Sequence, residues 1–493
     1  MENSRLIKYL KALDEAELSL FMRYLSSPFF LYRASLLQLF EWLRAYAPDY
    51  QISAQAEEAF MEKLLGGKAR LQQRWNRLLS DATQELEKMM AVQAFMEDER
   101  AMKLYASKAF SHRSSLYPFR ASLAKFRKEI EKAPWDHAAY EYRWQLEELA
   151  YTDSELDEHQ PDKEVAEIHG NLLETATAGF VFRYLRLKVA AISGRKVVQI
   201  SFLEDDQAFY SNAIEPLARE LAAGHPLVNA YYLLLQAYLH FNDKSYFEAF
   251  LDFTLSPGAH IHPAEQLDLA RVGINYCIQH QANSASAFFK LYDKLAAFVL
   301  QSLEAANQRG ISDRLFLNLA LLLLAKGEGE TYHRLLRGYR NLLPDEWQSD
   351  AINLAEAYRL FFKGAFQPSA DLLETVSSRP LRYALRVQSL KVRLAYELSR
   401  ETPANVRLAD QVGDRINAFR AFLRNRSRQQ LAPVKRMQYL NFVEVLERMH
   451  WLAQQGQASK EEVDGLLELL KTSRPPFAGW LLQKIRALGG AVE

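Results

Sequence analysis

Cysteine is nearly absent from this 493-residue chain: Cys277 stands alone, so no intrachain disulfide can form. That suits a reducing compartment. Glycine (19) and proline (16) are sparse, and no Asn-Gly or Asp-Gly turn joins two strand-like runs, so hairpin-built folds receive no support. An excess of charge of one sign is also missing, because 61 Lys and Arg face 61 Asp and Glu. A wholesale nucleic-acid coat or a polybasic membrane binder would be basic. Long apolar runs are lacking too. The most apolar stretch, LFLNLALLLLA (315–325), is eleven residues long, short of the ~20 a spanning helix needs. It predicts a buried helix. The start, MENSRLIKYLKALDEAELSLF, interrupts its apolar residues with Lys8, Lys11, Asp14, Glu15 and Glu17, so no signal-peptide core is expected there and a cytoplasmic protein without membrane association is.

What is present is helical spacing. Leu6, Ile7, Leu10 and Leu13 share one helix face. Asp14 with Glu17 three residues on reads as a capping box opening a second helix, which Ser27-Pro28 closes. Leu36, Leu37, Phe40 and Leu43 mark a third before Pro48. Further helices are predicted over 70–95, 116–132 and 135–152. The stretch YTDSELDEHQPDKE (151–164) is acidic, contains Pro161 and loses apolar periodicity after Leu156. It is the candidate linker. The ligand spacing and turn glycine of a calcium loop are missing from it. The expected organisation is therefore all-α, with an N-terminal helical region over 1–152 and a second region over 163–493.

The second region repeats. First helices are expected to begin near His225, His262, Ser312, Glu346 and Arg379, and second helices near Lys244, Ala285, Glu330, Gln367 and Ala404. A recurrence in the thirties with one longer insertion marks stacked helix–turn–helix units, each unable to cover its own apolar face. In INLAEAYRLFFKGAFQPSADLLETV (352–376), Leu354-Ala355, Tyr358, the turn at Gly364, Phe366 and Ala370 resemble a tetratricopeptide repeat (TPR), with a longer spacing from Tyr358 to Gly364 than the usual motif. The resemblance implies a TPR-like α-solenoid of antiparallel helix pairs with C-terminal capping helices. The stretches LSSPFF (25–30), RLAYEL (393–398), FRAFLRN (419–425) and YLNFVEVL (439–446) are also similar to a family of uncharacterised helical-repeat proteins of Bacteroidetes bacteria. That likeness implies the same architecture and no assigned activity.

Motifs for chemistry are few. LLGGKAR (64–70) lacks the spacing and hydroxyl of a phosphate loop, and its glycines read as a helix stop. No GxSxG, HExxH or CxxC occurs. His225, His240, His260, His262, Cys277 and His280 cluster in sequence. However, His225 and His262 precede prolines, and Cys277 lies in an apolar helical run. Glu204-Asp205-Asp206 reads as a solvated acidic turn. No catalytic residue, metal or cofactor is expected, and a non-enzymatic protein is.

One basic feature stands out. From Arg379 to Arg436 the chain carries fourteen Lys and Arg against four Asp and Glu. On a helix at about 100° per residue, Arg379, Arg382, Arg386, Arg393 and Arg400 form one narrow seam. Tyr383, Val387, Leu390, Leu394 and Leu398 flank it on one side, and Leu381, Leu385, Val392, Ala395 and Tyr396 on the other. Apolar flanks on both sides predict an inner helix of a stacked array whose seam faces a groove. The seam is either paired internally, with Glu346, Asp350 and Glu356 of the preceding first helix as nearby acids, or a docking surface. The leading expectation is a scaffold that binds an acidic peptide or protein there. The alternative is a nucleic-acid-binding regulator using residues 379–436.

Overall fold

The computed structural model describes residues 4–29, 33–67, 70–111, 116–156, 162–195, 207–241, 243–280, 287–305, 311–377, 381–402, 405–425, 431, 433–456, 458–473 and 475–488. Among them the chain is all-helical, and the one β-type contact is an isolated bridge between Trp135 and Ile261. No described helix is long and apolar enough to cross a membrane. The chain divides into two compact units, one of residues 1–133 and 142–172, the other of 134–141 and 173–493.

In the first unit, α1 (Arg5–Leu10), α2 (Glu15–Ser26), α3 (Ala34–Arg44) and α4 (Ala54–Leu65) gather on the long α5 (Leu71–Glu97). The capping box of α2 forms as expected: Glu17 N–H donates to Asp14 Oδ1 at 2.9 Å, and Asp14 N–H donates to Glu17 Oε2 at 2.9 Å. Leu6, Phe21, Leu39, Phe40 and Trp75 are enclosed in one core. Each such side chain contributes about 1.5–3 kcal/mol on burial. α6 (Glu99–Ser111) and α7 (Leu116–Lys132) pack as a hairpin, and α8 (His137–Leu156) and α9 (Asp162–Arg195) contribute residues to both units.

The second unit continues through α10 (Gln207–Phe209), a π turn over Tyr210–Ile214 and α11 (Glu215–Leu221). A succession of helix pairs follows: α12 (Pro226–Leu239) with α13 (Lys244–Thr254), α14 (Pro263–His280) with α15 (Ala287–Ala305), and α16 (Asp313–Ala325) with α17 (Gly329–Tyr339). Next come α18 (Asp345–Phe362) with α19 (Phe366–Leu373), α20 (Leu381–Glu401) with α21 (Val406–Asn425), and α22 (Pro433–Gln455) with α23 (Lys460–Ser473). The last element is α24 (Ala478–Leu488). First helices of neighbouring pairs also touch, α12 with α14, α16 with α18 and α18 with α20. Gly364 turns α18 into α19 at φ +77°, a left-handed conformation suited to glycine. Behind it Ser369 Oγ donates to the Ala357 carbonyl at 2.7 Å and locks the pair together.

Most expected helix starts fall within two residues of the observed ones, and the 315–325 run is the buried α16. The expected linker at 151–164 is described only at its ends. Residues 151–156 complete α8 and 162–164 open α9, while 157–161 lie outside the described residues. Acidic residues at those ends sit on the two helices. Asp153 is buried and bonded by Arg120 at 2.9 Å, and Asp162 and Glu164 sit in the first turn of α9, where the helix dipole favours negative charge.

Candidate functional site

α20 is an inner element by its own pattern. Tyr383, Val387, Leu390 and Leu394 enter the large core of the second unit, which runs from Trp135 to Leu394. Leu385, Val392 and Tyr396 enter a separate core built with α21, α22, α23 and α24. The two flanks read from the sequence thus serve two different cores, and the arginine seam runs between them.

The structure spreads the seam residues over unlike surroundings. Arg379 lies outside the described residues, and Arg382 is on α20 with its side chain likewise outside them. Arg386 is half-buried: its Nη2 donates to Asn318 Oδ1 of α16 at 2.7 Å, while its buried Nη1 meets no acceptor. Arg393 does not face solvent as a seam residue should, because only 3% of it is exposed. Its guanidinium carbon lies 5.6 Å from the Tyr358 ring centroid, 4.9 Å from Phe361 and 4.0 Å from Phe477. Rings from α18 and from the turn before α24 therefore enclose it, an arrangement that favours a cation by its π-quadrupoles. Burial depresses its pKa, opposed by the neighbouring tyrosines. Arg400 is exposed and donates to the Ala453 carbonyl of α22 at 3.4 Å.

Two of the acids named as internal partners, Asp350 and Glu356, are engaged elsewhere. Asp350 accepts from the Ser377 N–H at 2.9 Å, and Glu356 accepts from Tyr332 at 3.0 Å and Arg359 Nε at 2.7 Å. Glu397, 6% exposed, is held by Trp480 Nε1 at 2.8 Å and Lys484 Nζ at 2.6 Å of α24. α24 and the turn before it thus lie against α20 and α22, with Phe477 5.4 Å from Phe442 and Trp480 5.7 Å from Tyr396.

Residues that the wheel did not single out complete the cluster. Tyr439 of α22 has its phenol within electrostatic reach of Tyr358, Arg386 and Arg393, and burial pushes its pKa up to about 12 against the pull of the two arginines. One turn earlier Lys435 places Nζ 5.5 Å from the Tyr439 ring centroid. Burial lowers the Lys435 pKa, with no neighbouring group offsetting it. Both residues lie inside stretches the sequence marks, the basic 379–436 region and YLNFVEVL, and their i, i+4 spacing on one helix face is the signal that pairs them.

The remaining motifs gather into no second site. Gly66 and Gly67 have φ +62° and +69° and end α4, while Lys68 lies outside the described residues, as do Glu204, Asp205 and Asp206. His225 packs on Trp135 and Tyr140 beside Glu174, and Cys277 is fully buried in α14 with its thiol pKa raised by burial. Among the described residues no group of three or more His, Cys, Asp or Glu is placed to hold a metal ion. No protein-family model, no curated protein and no solved structure matches this chain.

Proposed function

We propose that the protein is a non-enzymatic binding scaffold, a TPR-like α-solenoid whose groove, lined by first helices, receives an acidic peptide or protein at the α20–α22 face. One observation carries this reading: Arg386 on α20 leaves its Nη1 without an acceptor, and the buried carboxylate of the same helix, Glu397, is already held by α24. Arginine donors in a fixed fork suit carboxylate and phosphate oxygens. Architecture supports the same reading, since stacked pairs leave a first-helix face as a surface for a ligand; on α20 the turn before α24 covers Arg393, so Arg386 and the exposed Arg400 are the cations left to meet one. The TPR-like pattern at 352–376 and the likeness to Bacteroidetes helical-repeat proteins agree with it.

A fluorescent poly-glutamate peptide tests it by anisotropy. The full chain is expected to bind this peptide at low salt and a poly-lysine peptide of equal length at least tenfold more weakly. Arg386→Glu, with unchanged helicity by circular dichroism, should weaken poly-glutamate binding at least tenfold. Equal affinity for the two peptides, or an unaltered affinity in Arg386→Glu, overturns the proposal.

A further inference from the structure

α9 is apolar on two faces, and its own unit covers only one of them. Ala178, Val181, Phe182, Leu185 and Val189 are buried in the large core of the second unit. On the far side of the helix, Leu173, Phe180 and Leu187 remain 69%, 50% and 69% exposed. They stand seven residues apart. Seven residues make two helical turns less about 20°, so the three side chains form one stripe about 21 Å long. Ala176, Thr177, Tyr184, Ala190 and Ala191 stand between and beside them, and none is charged. The patch widens at Tyr184, whose ring centroid lies 6.5 Å from Phe180 and 5.7 Å from the exposed Phe209 of α10. All of these residues belong to the second unit. Single exposed apolar residues are ordinary, whereas a contiguous patch of large ones marks an interaction surface.

We propose that this stripe binds a second copy of the chain, with the two α9 helices antiparallel and Phe180 at the two-fold axis. A seven-residue apolar period is that of helices packed knobs-into-holes. A two-fold contact also needs a patch complementary to itself. Leu173, Phe180 and Leu187 read the same from either end, so Leu173 of one copy falls beside Leu187 of the other and Phe180 meets its own counterpart. Glu174 stands at one end of the stripe, and Arg183 and Arg186 towards the other. An antiparallel pair therefore sets unlike charges along its rim and opposes the two helix dipoles, whereas a parallel pair sets like beside like. Arg183 is itself held by Glu141 at 2.6 Å, so these charges orient the pair and the apolar stripe supplies its affinity. Leu173, Phe180, Leu187 and Phe209 together expose on the order of 400 Å². Two copies then cover on the order of 800 Å² before Tyr184 and the smaller residues are counted, close to the ~1,000 Å² a specific interface needs. The contact uses α9 and α10 alone and does not rest on the ligand-binding reading of α20.

Sedimentation equilibrium of the full chain between about 1 and 100 µM tests the proposal, the range in which a contact of this size associates. A monomer–dimer equilibrium is expected. Phe180→Glu sets two carboxylates against each other at the axis, and it should weaken dimerisation about tenfold or more. Its circular dichroism should match the parent's, because the position is half-exposed in the single chain. Trp451→Glu, at an exposed position of α22, should leave the dimer as it is. A chain that is monomeric throughout the range, or a Phe180→Glu dimer as tight as the parent's, overturns the proposal. So does a monomer that floats with anionic lipid vesicles and loses this in Phe180→Glu, which assigns the stripe to a membrane surface. Cysteine pairing reads the orientation, since the buried Cys277 does not compete. Under mild oxidation, mixed Leu173→Cys and Leu187→Cys chains should give a disulfide joining one variant to the other. Cross-links between like chains alone overturn the antiparallel arrangement.

Discussion

Arg393 occupies a seam position by the geometry of its own helix, yet rings from residues 358, 361 and 477 enclose it. A helical wheel reports which side chains share a face, and it carries no information on what a segment 84 residues later lays over that face. The same limit hid the engagement of Glu397 by Trp480 and Lys484. Arg400 shows a second residue-scale effect. It lies near His450 of α22, whose pKa is lowered from 6.5 chiefly by burial, with the Arg400 charge adding to it and a backbone hydrogen bond at Ala409 opposing it. The folded protein therefore takes up this proton less readily than the unfolded chain does. Stability from this group is complete above pH 6.5 and falls as pH drops below it towards the depressed folded value. His450→Gln should remove that slope, seen as a flatter Tm profile between about pH 7.5 and 5 than the parent gives. Superimposable profiles would show that His450 does not set it.

At the scale of elements the sequence is far more explicit, because periodicity encodes local packing directly. Apart from Leu398, the two apolar flanks of α20, read at 100° steps, are the two sets of residues that enter or pack against separate cores. Turn chemistry was equally legible: Asp14 and Glu17 form their reciprocal cap, and Gly364 adopts φ +77° between α18 and α19. The acidic 151–164 stretch is described only at its ends, since 157–161 lie outside the described residues. There Asp153 meets Arg120 in a buried position, which charge in the sequence does not announce, while the exposed Asp162 and Glu164 lie at a helix N-terminus. Two glycines make the element-scale argument testable. A Cβ at Gly364 would meet nothing within 4 Å, so its cost is that of the left-handed backbone alone. Gly364→Ala should destabilise by about 1–2 kcal/mol in urea unfolding. Gly413, inside α21 with equally open space and no positive φ, should behave oppositely, with Gly413→Ala stabilising by about 0.5–1 kcal/mol. Equal effects of one sign would mean that backbone conformation is not what distinguishes them.

Across the whole molecule, recurrence in the sequence located the helix pairs but not the contacts between them, such as Arg386 with Asn318 and Arg393 with Tyr358 and Phe477. These positions come together only because neighbouring first helices stack, and no single repeat contains enough of them to be recognised. Stacking has an energetic consequence of its own. In the second unit each pair packs mainly on adjacent pairs, and the core changes at α20, where one flank closes the larger cluster and the other opens the C-terminal one. An array of this kind loses protection locally, since its stability is a sum of unit and nearest-neighbour contributions. Phe250 of α13 is fully buried and lies next to Gly273 and Phe247. Phe250→Ala should cost about 3–5 kcal/mol locally, speeding hydrogen exchange through α12–α15 by orders of magnitude while amides of α21–α24 exchange at the parental rate. Uniform acceleration along residues 226–488 would instead show one cooperative body, in which α20 couples the two cores rather than separating them.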